Sequence, residues 1–442
     1  MSAPVPPSAS LLARLKSINR ELNNLEALAG VSDVRARPTH LEVDFSSRCN
    51  YRCPMCHQSK FDMGRFALDR AQLDTLIDSL PYVDTVMIAG LGEPLLYPGL
   101  PHFLPWLRRY RCHVHLFTNG ELIHRRLDCL RDLDRISVSL DGATPATFEA
   151  LRRGGHFGRV VANIRALRAA APRTELVTST VVSRRNVGEV GAIVALAASL
   201  KMQAVNLSPV DHTPSLMLRH EDAAVFHAQL AEARRQHPDI EIHNNIGSAH
   251  FRPDRNTQVA PADLDAALRA AAFDKSVERE DEDEPETWPQ SSVPNQYIHG
   301  LDEATQLREL ARRVHDHQQA LAALQARIHL EHRPLALPYC AAPWKYGFAR
   351  SRGDARLCPY ADVSLGPVQS VMAGPYNTPL LTALRDSMRN DTPCLSVCTG
   401  CTDDHRRFRR DSLEATLAEH SGFFRRAAVI AQAGRAEASG CW

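Results

Sequence analysis

Three cysteines lie within eight residues in the segment SSRCNYRCPMCHQS, residues 46–59. Cys49, Cys53 and Cys56 have the spacing Cys-x3-Cys-x2-Cys, and no further cysteine follows before Cys112. Three thiolates at this spacing can bind three irons of a [4Fe–4S] cube and leave the fourth iron open, whereas structural zinc needs a closed set of four ligands. The spacing therefore favours an iron–sulfur cluster with one free coordination position.

A second group of five cysteines occupies the last quarter of the chain, at Cys340, Cys358, Cys394, Cys398 and Cys401. The segment KYGFARSRGDARL, which separates the first two, predicts a β-hairpin turned at SRGD that would bring those two cysteines together. The other three stand in CLSVCTGC, after a helix-like stretch. Four cysteines also make a closed zinc site, so spacing alone leaves zinc and iron–sulfur open for this group.

Short apolar runs alternate with amphipathic stretches from Leu41 to about residue 245. Six runs have strand-like composition and end in turn-forming residues: 41–45, 84–90, 113–120, 135–142, 175–183 and 203–210. Between them, apolar residues recur at spacings of three and four, which indicates helices. Such alternation is typical of right-handed βαβ units with a parallel sheet. We therefore predict an α/β fold with a partial (β/α)6 TIM-type barrel whose site lies at the carboxyl ends of the strands.

The composition suggests five segments along the chain. They are a helical N-terminal extension (1–38), the barrel core (39–245), a polar and acidic loop with a long helix (246–335), a small Cys-rich module (336–404) and a helical tail (405–442). In the third segment, the acidic run 277–286 is typical of solvated loop, and heptad-like spacing predicts one helix over 302–330.

Four aromatic and imidazole side chains of the third segment are candidates for substrate contacts: Tyr297, His299, His315 and His317. The competing interpretation is that most of these histidines lie on the surface of a solvated helix.

Charge and targeting signals restrict the partners. The chain has 52 Lys and Arg against 51 Asp and Glu, a net charge of +1, which favours neither a nucleic-acid nor a membrane partner. The N-terminus lacks a basic region followed by an apolar core, and no run of eighteen apolar residues occurs, so we expect a soluble cytoplasmic protein. Clustered cysteines in such a protein favour metal over disulfides.

The first cysteine loop resembles that of the radical SAM superfamily, in which the open iron binds the amino and carboxylate groups of S-adenosylmethionine (SAM). The segment AGLGEPLL after the second strand is similar to the family's GEP segment. This resemblance implies that Gly90, Leu91, Gly92 and Glu93 lie at the amino group of the methionine moiety. Glycine lets the backbone come close, and a carboxylate suits an ammonium group.

Later strand ends resemble the cofactor-facing parts of the same family. FTNG and SVSLDG follow the third and fourth strands, which implies a cofactor-facing position for Asn119 and ribose contacts for Ser139 and Asp141. The segment ALRRGGHF resembles the one whose arginine meets the SAM carboxylate, and Arg152 fits that role better than Arg153.

The position before the third cysteine is often aromatic in this family and lies against adenine. Here the residue is Met55, whose thioether can pack on a purine.

The second cysteine group resembles the auxiliary-cluster modules called SPASM and twitch, which share Cys, Pro-Trp, Gly-x4-Cys and a later Cys-x2-Cys. Trp344 follows a proline, and Gly353 stands five positions before Cys358, as in that pattern. A full SPASM module needs about seven cysteines, so the five here imply one auxiliary [4Fe–4S] cluster. Its implied ligands are Cys340, Cys358, Cys398 and Cys401, with Cys394 as a spare or replacement ligand.

The resemblance implies an enzyme that reductively cleaves SAM to a 5′-deoxyadenosyl radical, which abstracts hydrogen from a substrate. It also implies an electron donor such as flavodoxin or ferredoxin, and an auxiliary cluster without an open iron suits electron transfer.

A single amphipathic helix precedes the first strand, where many peptide-modifying relatives carry a winged-helix domain. We therefore expect a small polar metabolite (a sugar, aminocyclitol or nucleoside) in natural-product biosynthesis. The alternatives are a ribosomal-peptide maturase and, outside enzymes, a zinc-binding structural or regulatory protein.

Overall fold

The structure is a computed structural model that describes residues 9–59, 64–210, 213–252, 298–331, 335, 337–338, 340–358, 361–374, 376–389 and 413. The strands in these ranges are β1 (His40–Val43), β2 (Thr85–Ile88), β3 (His113–Thr118), β4 (Arg135–Ser139), β5 (Glu175–Val182), β6 (Ala204–Pro209), β7 (Glu241–Asn244), β8 (Tyr346–Ala349), β9 (Asp354–Cys358) and β10 (Ala361–Pro367). The α-helices are α1 (Ala9–Leu28), α2 (Arg70–Ser79), α3 (Leu100–Arg109), α4 (Ile123–Leu130), α5 (Pro145–Leu151), α6 (Phe157–Ala170), α7 (Val190–Ser199), α8 (His220–Gln236), α9 (Glu303–Leu330), α10 (Ala342–Lys345), α11 (Val368–Met372) and α12 (Pro379–Arg389).

The ten strands form one sheet in the order β10-β9-β8-β1-β2-β3-β4-β5-β6-β7. Strands β1 to β7 follow one another in chain order and pair in parallel throughout. The sheet does not close on itself, because β7 and β10 stand at its two edges. The predicted α/β fold with a partial TIM-type barrel is confirmed. Strand β7 was not predicted, since EIHN offers one aliphatic residue in four.

The strands alternate between a fully buried apolar face and a more open face. On β1 to β4 the buried face includes Val43, Ile88, Leu116 and Val138, each fully buried. These side chains share one core with apolar residues of the surrounding helices, such as Leu107 of α3. Because successive side chains of a strand point to opposite faces, the other face lines the interior of the partial barrel. Each buried aliphatic side chain stabilises the fold by about 1.5–3 kcal/mol.

The C-terminal hairpin continues the same sheet. Strand β8 pairs in parallel with β1, with His40 opposite Tyr346, and β9 returns antiparallel to β8. The predicted hairpin is therefore confirmed, and its turn contains Gly353 at φ +81°, a conformation that favours glycine. Cys340 precedes β8 and Cys358 ends β9, so both cysteines lie near the amino-terminal ends of the parallel strands.

The predicted long helix is also confirmed, as α9, which begins after an Asp302 cap. It packs on α1, and Leu310 shares a small apolar cluster with Leu15 and Tyr82. Tyr82 lies just before β2, so this pair of helices covers the amino-terminal side of the sheet. Among the described helices, none has the length and apolar character needed to cross a bilayer.

The histidines proposed for substrate contacts lie away from the carboxyl ends of the strands. His317 stacks on Tyr82 with ring centroids 5.1 Å apart, and His315 is exposed on α9. His299 packs against Trp106 of α3 in the outer helical layer. Tyr297 lies outside the described residues.

Candidate functional site

The first cysteine loop leaves the carboxyl end of β1 and makes tight turns. The Cys56 N–H donates to the Cys53 carbonyl over 2.9 Å, and the Ser59 N–H donates to the Cys56 carbonyl over 3.1 Å. Cys53 is buried, while Cys49 and Cys56 are half-buried. The loop thus carries all three thiols at the end of the barrel where parallel strands present their carboxyl termini.

The surroundings of these thiols disfavour a free thiolate, the charged form. Burial raises the pKa of the Cys49 thiol, and it raises that of Cys53 to about 11 although Arg152 opposes the shift. Thiolates are the form that binds iron, so a positively charged cluster would stabilise a charged state that burial alone disfavours. The donor set of three clustered thiols therefore fits an iron–sulfur cluster.

Within the residues that the structure describes, no three His, Cys, Asp or Glu side chains converge as the ligands of one metal ion do. Ligands that each bind a different iron of a cube need no such convergence. Cys394, Cys398 and Cys401 lie outside the described residues. Cys340 and Cys358 are both half-buried and lie at the amino-terminal ends of the parallel strands, whereas the first loop lies at their carboxyl ends. The four residues of β1 separate these two ends of the strands by about 10 Å.

The GEP segment packs directly against the cysteine loop through its glycines. A Cβ on Gly92 would lie 1.9 Å from the Ser46 carbonyl oxygen and 2.5 Å from that of Arg48. A Cβ on Gly90 would lie 2.1 Å from a carboxylate oxygen of Asp44. The Glu93 N–H donates to the Arg48 carbonyl over 2.8 Å. At Gly92, only glycine allows the two backbones to approach this closely.

Glu93 is buried and links the GEP segment to the end of β3. Its carboxyl group accepts hydrogen bonds from the Thr118 hydroxyl and the Asn119 N–H, both at 2.7 Å, and from the Leu95 N–H at 3.1 Å. Burial raises the pKa of Glu93 to about 7, although these hydrogen bonds oppose the shift. The carboxyl group therefore holds two strand ends together, and its predicted contact with an ammonium group stays a prediction.

Asn119 connects the end of β3 to the cysteine loop. Its side-chain amide donates to the Asn50 side-chain oxygen over 2.8 Å and accepts from the Glu121 N–H over 3.0 Å. Asn50 directly follows Cys49, so this contact fixes the loop beside its first thiol.

Asp141 and Arg152 form a buried ion pair beside the cysteine loop. Asp141 is 0% exposed, and its second carboxylate oxygen accepts from the Val181 N–H over 2.8 Å. The other end of the Arg152 guanidinium lies 3.9 Å from the Cys53 sulfur. Burial alone would lower the pKa of Arg152, yet the charge of Asp141 raises it overall. Arg152 thus points its charge at the cysteine loop.

The remaining predicted cofactor residues lie at the same end of the barrel. Met55 is half-buried and packs against an apolar cluster of Leu151, Val210 and Leu216. Ser139 is half-buried at the carboxyl end of β4, where it pairs with Ser179 of β5. Their predicted contacts with adenine and ribose stay predictions.

Sequence reasoning missed a polar cluster that supports the cysteine loop. The Tyr51 hydroxyl donates to the Glu121 carboxylate over 2.7 Å. The same carboxylate accepts from the His156 N–H at 3.1 Å and from Arg159 at 2.9 Å. A Cβ on Gly155 would lie 2.6 Å from the Tyr51 ring. Tyr51 therefore anchors the loop between its first two cysteines to the structure that follows β3.

A second missed contact joins the C-terminal hairpin to the same loop. Asp44 follows β1 directly and is 3% exposed. Its carboxylate accepts a hydrogen bond from the Ser351 hydroxyl over 3.0 Å, and burial raises its pKa to about 6. The hairpin turn thus rests on the residue that leads into the cysteine loop.

Comparison with known proteins agrees with this arrangement. Residues 43–197 match the family model of the radical SAM superfamily. The GTP 3′,8-cyclase of Hydrogenovibrio crunogenus is 28% identical over 247 residues, which cover 52% of this chain and 72% of that protein. The mycofactocin maturase MftC of Mycobacterium ulcerans is 29% identical over 164 residues, which cover 36% of this chain and 44% of the maturase.

Among solved structures, SuiB of Streptococcus suis bound to S-adenosylmethionine superposes with a TM-score of 0.49 at 13% identity, over 79% of this chain and 68% of that one. Residues 43–197 are therefore identified as a radical SAM domain, and enzymes of that superfamily use a [4Fe–4S] cluster and SAM.

Proposed function

We propose that the protein is a radical SAM enzyme that acts on a small polar metabolite and uses a second cluster for electron transfer. The observation that carries this proposal is the cysteine loop at the carboxyl end of β1, inside the matched domain. It offers Cys49, Cys53 and Cys56, and residues 57–111 contain no cysteine. Three ligands leave one iron open for SAM.

When bound, the cluster and SAM supply a 5′-deoxyadenosyl radical that abstracts hydrogen from the substrate. The protein orients SAM with the segment Gly90–Glu93 and with Arg152. The guanidinium, held by Asp141 and 3.9 Å from the Cys53 sulfur, offers a fixed cation to a carboxylate that approaches the open iron. Asn119 and Ser139 lie at neighbouring strand ends and complete the site, with Met55 on the adenine side.

The auxiliary cluster would be held by Cys340 and Cys358 together with Cys398 and Cys401, with Cys394 as a possible replacement. Cys340 and Cys358 lie at the amino-terminal ends of the parallel strands, whereas the first loop lies at their carboxyl ends. A closed cluster in that position suits an electron acceptor or donor rather than a ligand for the substrate. Flavodoxin or ferredoxin would supply the first electron, in the cytoplasm.

The proposed substrate class follows from the relatives and from the polarity of the strand ends. The relatives include a protein named as a GTP 3′,8-cyclase and one named as a maturase. A small polar metabolite fits the proposed site, in which the described strand ends carry short polar side chains. The second candidate is modification of a ribosomal peptide, favoured by the relative named as a maturase.

The test is anaerobic reconstitution with iron and sulfide, followed by iron analysis and SAM turnover with dithionite. We expect about eight irons per chain if two cubes form, and 5′-deoxyadenosine as a product. Replacement of Cys49, Cys53 and Cys56 by Ala should remove about four irons and all SAM cleavage.

Cys112 and Cys129 provide the matched control, because both lie outside the two cysteine groups, so a double replacement by Ala should keep the full iron content. SAM cleavage by the triple variant would contradict the proposal. A colourless protein that retains zinc and leaves SAM intact would support the structural zinc alternative instead.

A further inference from the structure

Four polar side chains stand in one row across β4 to β7. The strand register places Ser139 opposite Ser179, Ser179 opposite Asn206, and Asn206 opposite His243. Residues paired in this way in a parallel sheet point to the same face, and three strand spacings make the row about 14 Å long.

This row belongs to the interior face of the partial barrel. The residues next to it along the strands, Val138, Thr178 and Leu207, are each 0% exposed and point to the helical side. Ser139, Ser179 and Asn206 themselves are half-buried, and the His243 side chain is 40% exposed. The row is therefore open to a molecule inside the barrel.

A closed layer lies directly beneath the row, towards the amino-terminal ends of the strands. Its members Ser137, Val177 and Ala204 are at most 1% exposed and are paired with one another in register. The Ser137 hydroxyl lies 2.8 Å from the Nε2 of His115, so it already has a hydrogen-bond partner within the protein. This layer forms a floor beneath Ser139, Ser179 and Asn206, while beneath His243 the paired residue is the exposed Glu241. On the same face, the half-buried Val181 and Ser208 lie one layer nearer the carboxyl ends of the strands, so the row is the second layer from that end on β5 and β6.

One end of the row lies at the proposed cofactor site. Ser139 is two residues before Asp141, whose carboxylate holds the arginine that lies 3.9 Å from the Cys53 sulfur. The other three residues extend from there towards β7 at the open edge of the sheet. Ser179, Asn206 and His243 therefore continue a surface that begins at the cofactor.

The chemistry of the three residues matches hydroxyl groups. A serine hydroxyl and a carboxamide can each donate and accept a hydrogen bond, as a substrate hydroxyl does, and an imidazole ring offers at least one N–H donor. None of them supplies the fixed cation that phosphate or carboxylate recognition favours. The Nε2 of His243 lies 3.5 Å from the carboxylate of Glu241, which is also in β7.

We propose that Ser179, Asn206 and His243 form a substrate subsite for an uncharged, hydroxyl-bearing ring, such as a cyclitol or the sugar of a nucleoside. The inference rests on the proposed function and deepens it, since it names the part of the barrel that recognises the substrate. A peptide substrate is the competing outcome.

The test uses saturation-transfer difference NMR on reconstituted, SAM-loaded protein without reductant. The probes are myo-inositol, guanosine and triglycine. We expect saturation of at least one hydroxylated probe in the wild type and a reduction of at least about threefold in Asn206→Leu and His243→Leu, because each variant removes a hydrogen-bonding partner. His315→Leu on α9 is the matched control, since His315 is exposed far from the row, and it should leave the signal unchanged.

Saturation of triglycine alone, or of no probe, would overturn the inference, as would equal signals in the wild type and in both row variants. Circular dichroism of each variant checks that it folds, and Asn206→Ser with His243→Gln keeps hydrogen-bonding groups if the leucine variants unfold. Wild-type formation of 5′-deoxyadenosine from SAM and dithionite is measured on the same preparation. Its absence would contradict the proposed function, whereas its presence without hydroxylated-probe binding would contradict only this inference.

Discussion

Replacement of Gly92 by Ala tests the close contact between the GEP segment and the cysteine loop. The added Cβ would lie 1.9 Å from the Ser46 carbonyl oxygen, whereas carbon and oxygen normally approach to about 3.3 Å. The two backbones would have to separate by about 1.4 Å, and overpacking of this kind typically costs about 1–3 kcal/mol. Because Ser46 is three residues before Cys49, the displacement would also reach the first cysteine.

We therefore expect Gly92→Ala to lower the free energy of unfolding of the apoprotein in urea by about 1–3 kcal/mol. We also expect the variant to retain less iron at the first site after reconstitution. Gly158→Ala is the matched control, because Gly158 lies in α6 with open space around its Cβ position. That change should be neutral or stabilise by up to about 1 kcal/mol. Wild-type stability and iron content in Gly92→Ala would refute the reasoning.

Three further changes probe buried polar groups in the apoprotein, each by urea unfolding. Tyr51→Phe removes a hydrogen bond to the Glu121 carboxylate and should lower the free energy of unfolding by about 1.5–3 kcal/mol. Arg152→Ala leaves the carboxylate of Asp141 buried without its cation and should lower it by about 3–5 kcal/mol. Burial raises the pKa of Glu26 to about 7, so between about pH 4.5 and pH 7 this carboxyl group binds more protons in the folded state than in the unfolded state. Glu26→Gln should therefore reduce the fall in stability over that pH range by about 3 kcal/mol, while Glu93 and Asp44, whose pKa values burial also raises, keep the remaining pH dependence.

Matched variants separate these effects from general damage. Tyr110→Phe removes another buried tyrosine hydroxyl away from the cysteine loop and should leave the reconstituted iron content unchanged. Arg153→Ala should change stability by less than about 0.5 kcal/mol, since it keeps the backbone carbonyl that accepts a hydrogen bond from the Arg52 N–H. Equal destabilisation by the two arginine variants would contradict the assignment of the ion pair. A pH dependence of stability in Glu26→Gln as large as that of the wild type would contradict the role of that carboxyl group.

The alternating pattern of the sequence was sufficient to predict most of the parallel sheet. Strand β5 occupies Glu175–Val182, almost the whole of the predicted run 175–183, because β-branched residues there serve both helix-packed and interior positions. Strand β7 escaped prediction because it stands at the sheet edge, where its side chains are exposed or half-buried and the apolar signal is weak.

The candidate site was predictable where its chemistry is local in sequence. The cysteine loop and the glycines of the GEP segment stand in short motifs, and the structure brings these two motifs into contact. The Tyr51–Glu121 contact joins residues 70 positions apart, and neither residue belongs to a spaced motif. The contact between Asp44 and Ser351 spans 307 positions and likewise leaves no periodic signal. Such contacts depend on which strands become neighbours, which the sequence pattern left open.

The pairing of β8 with β1 has a consequence for how the protein can be divided. In the full sheet β1 is an interior strand with neighbours on both sides, β2 and β8. A fragment that ends before residue 336 would leave β1 with one side of its backbone N–H and carbonyl groups unpaired, next to the cysteine loop. Exposed strands of this kind promote association between chains. The barrel segment is thus a poor unit for expression on its own, because the C-terminal hairpin supplies the strand that pairs with the second side of β1.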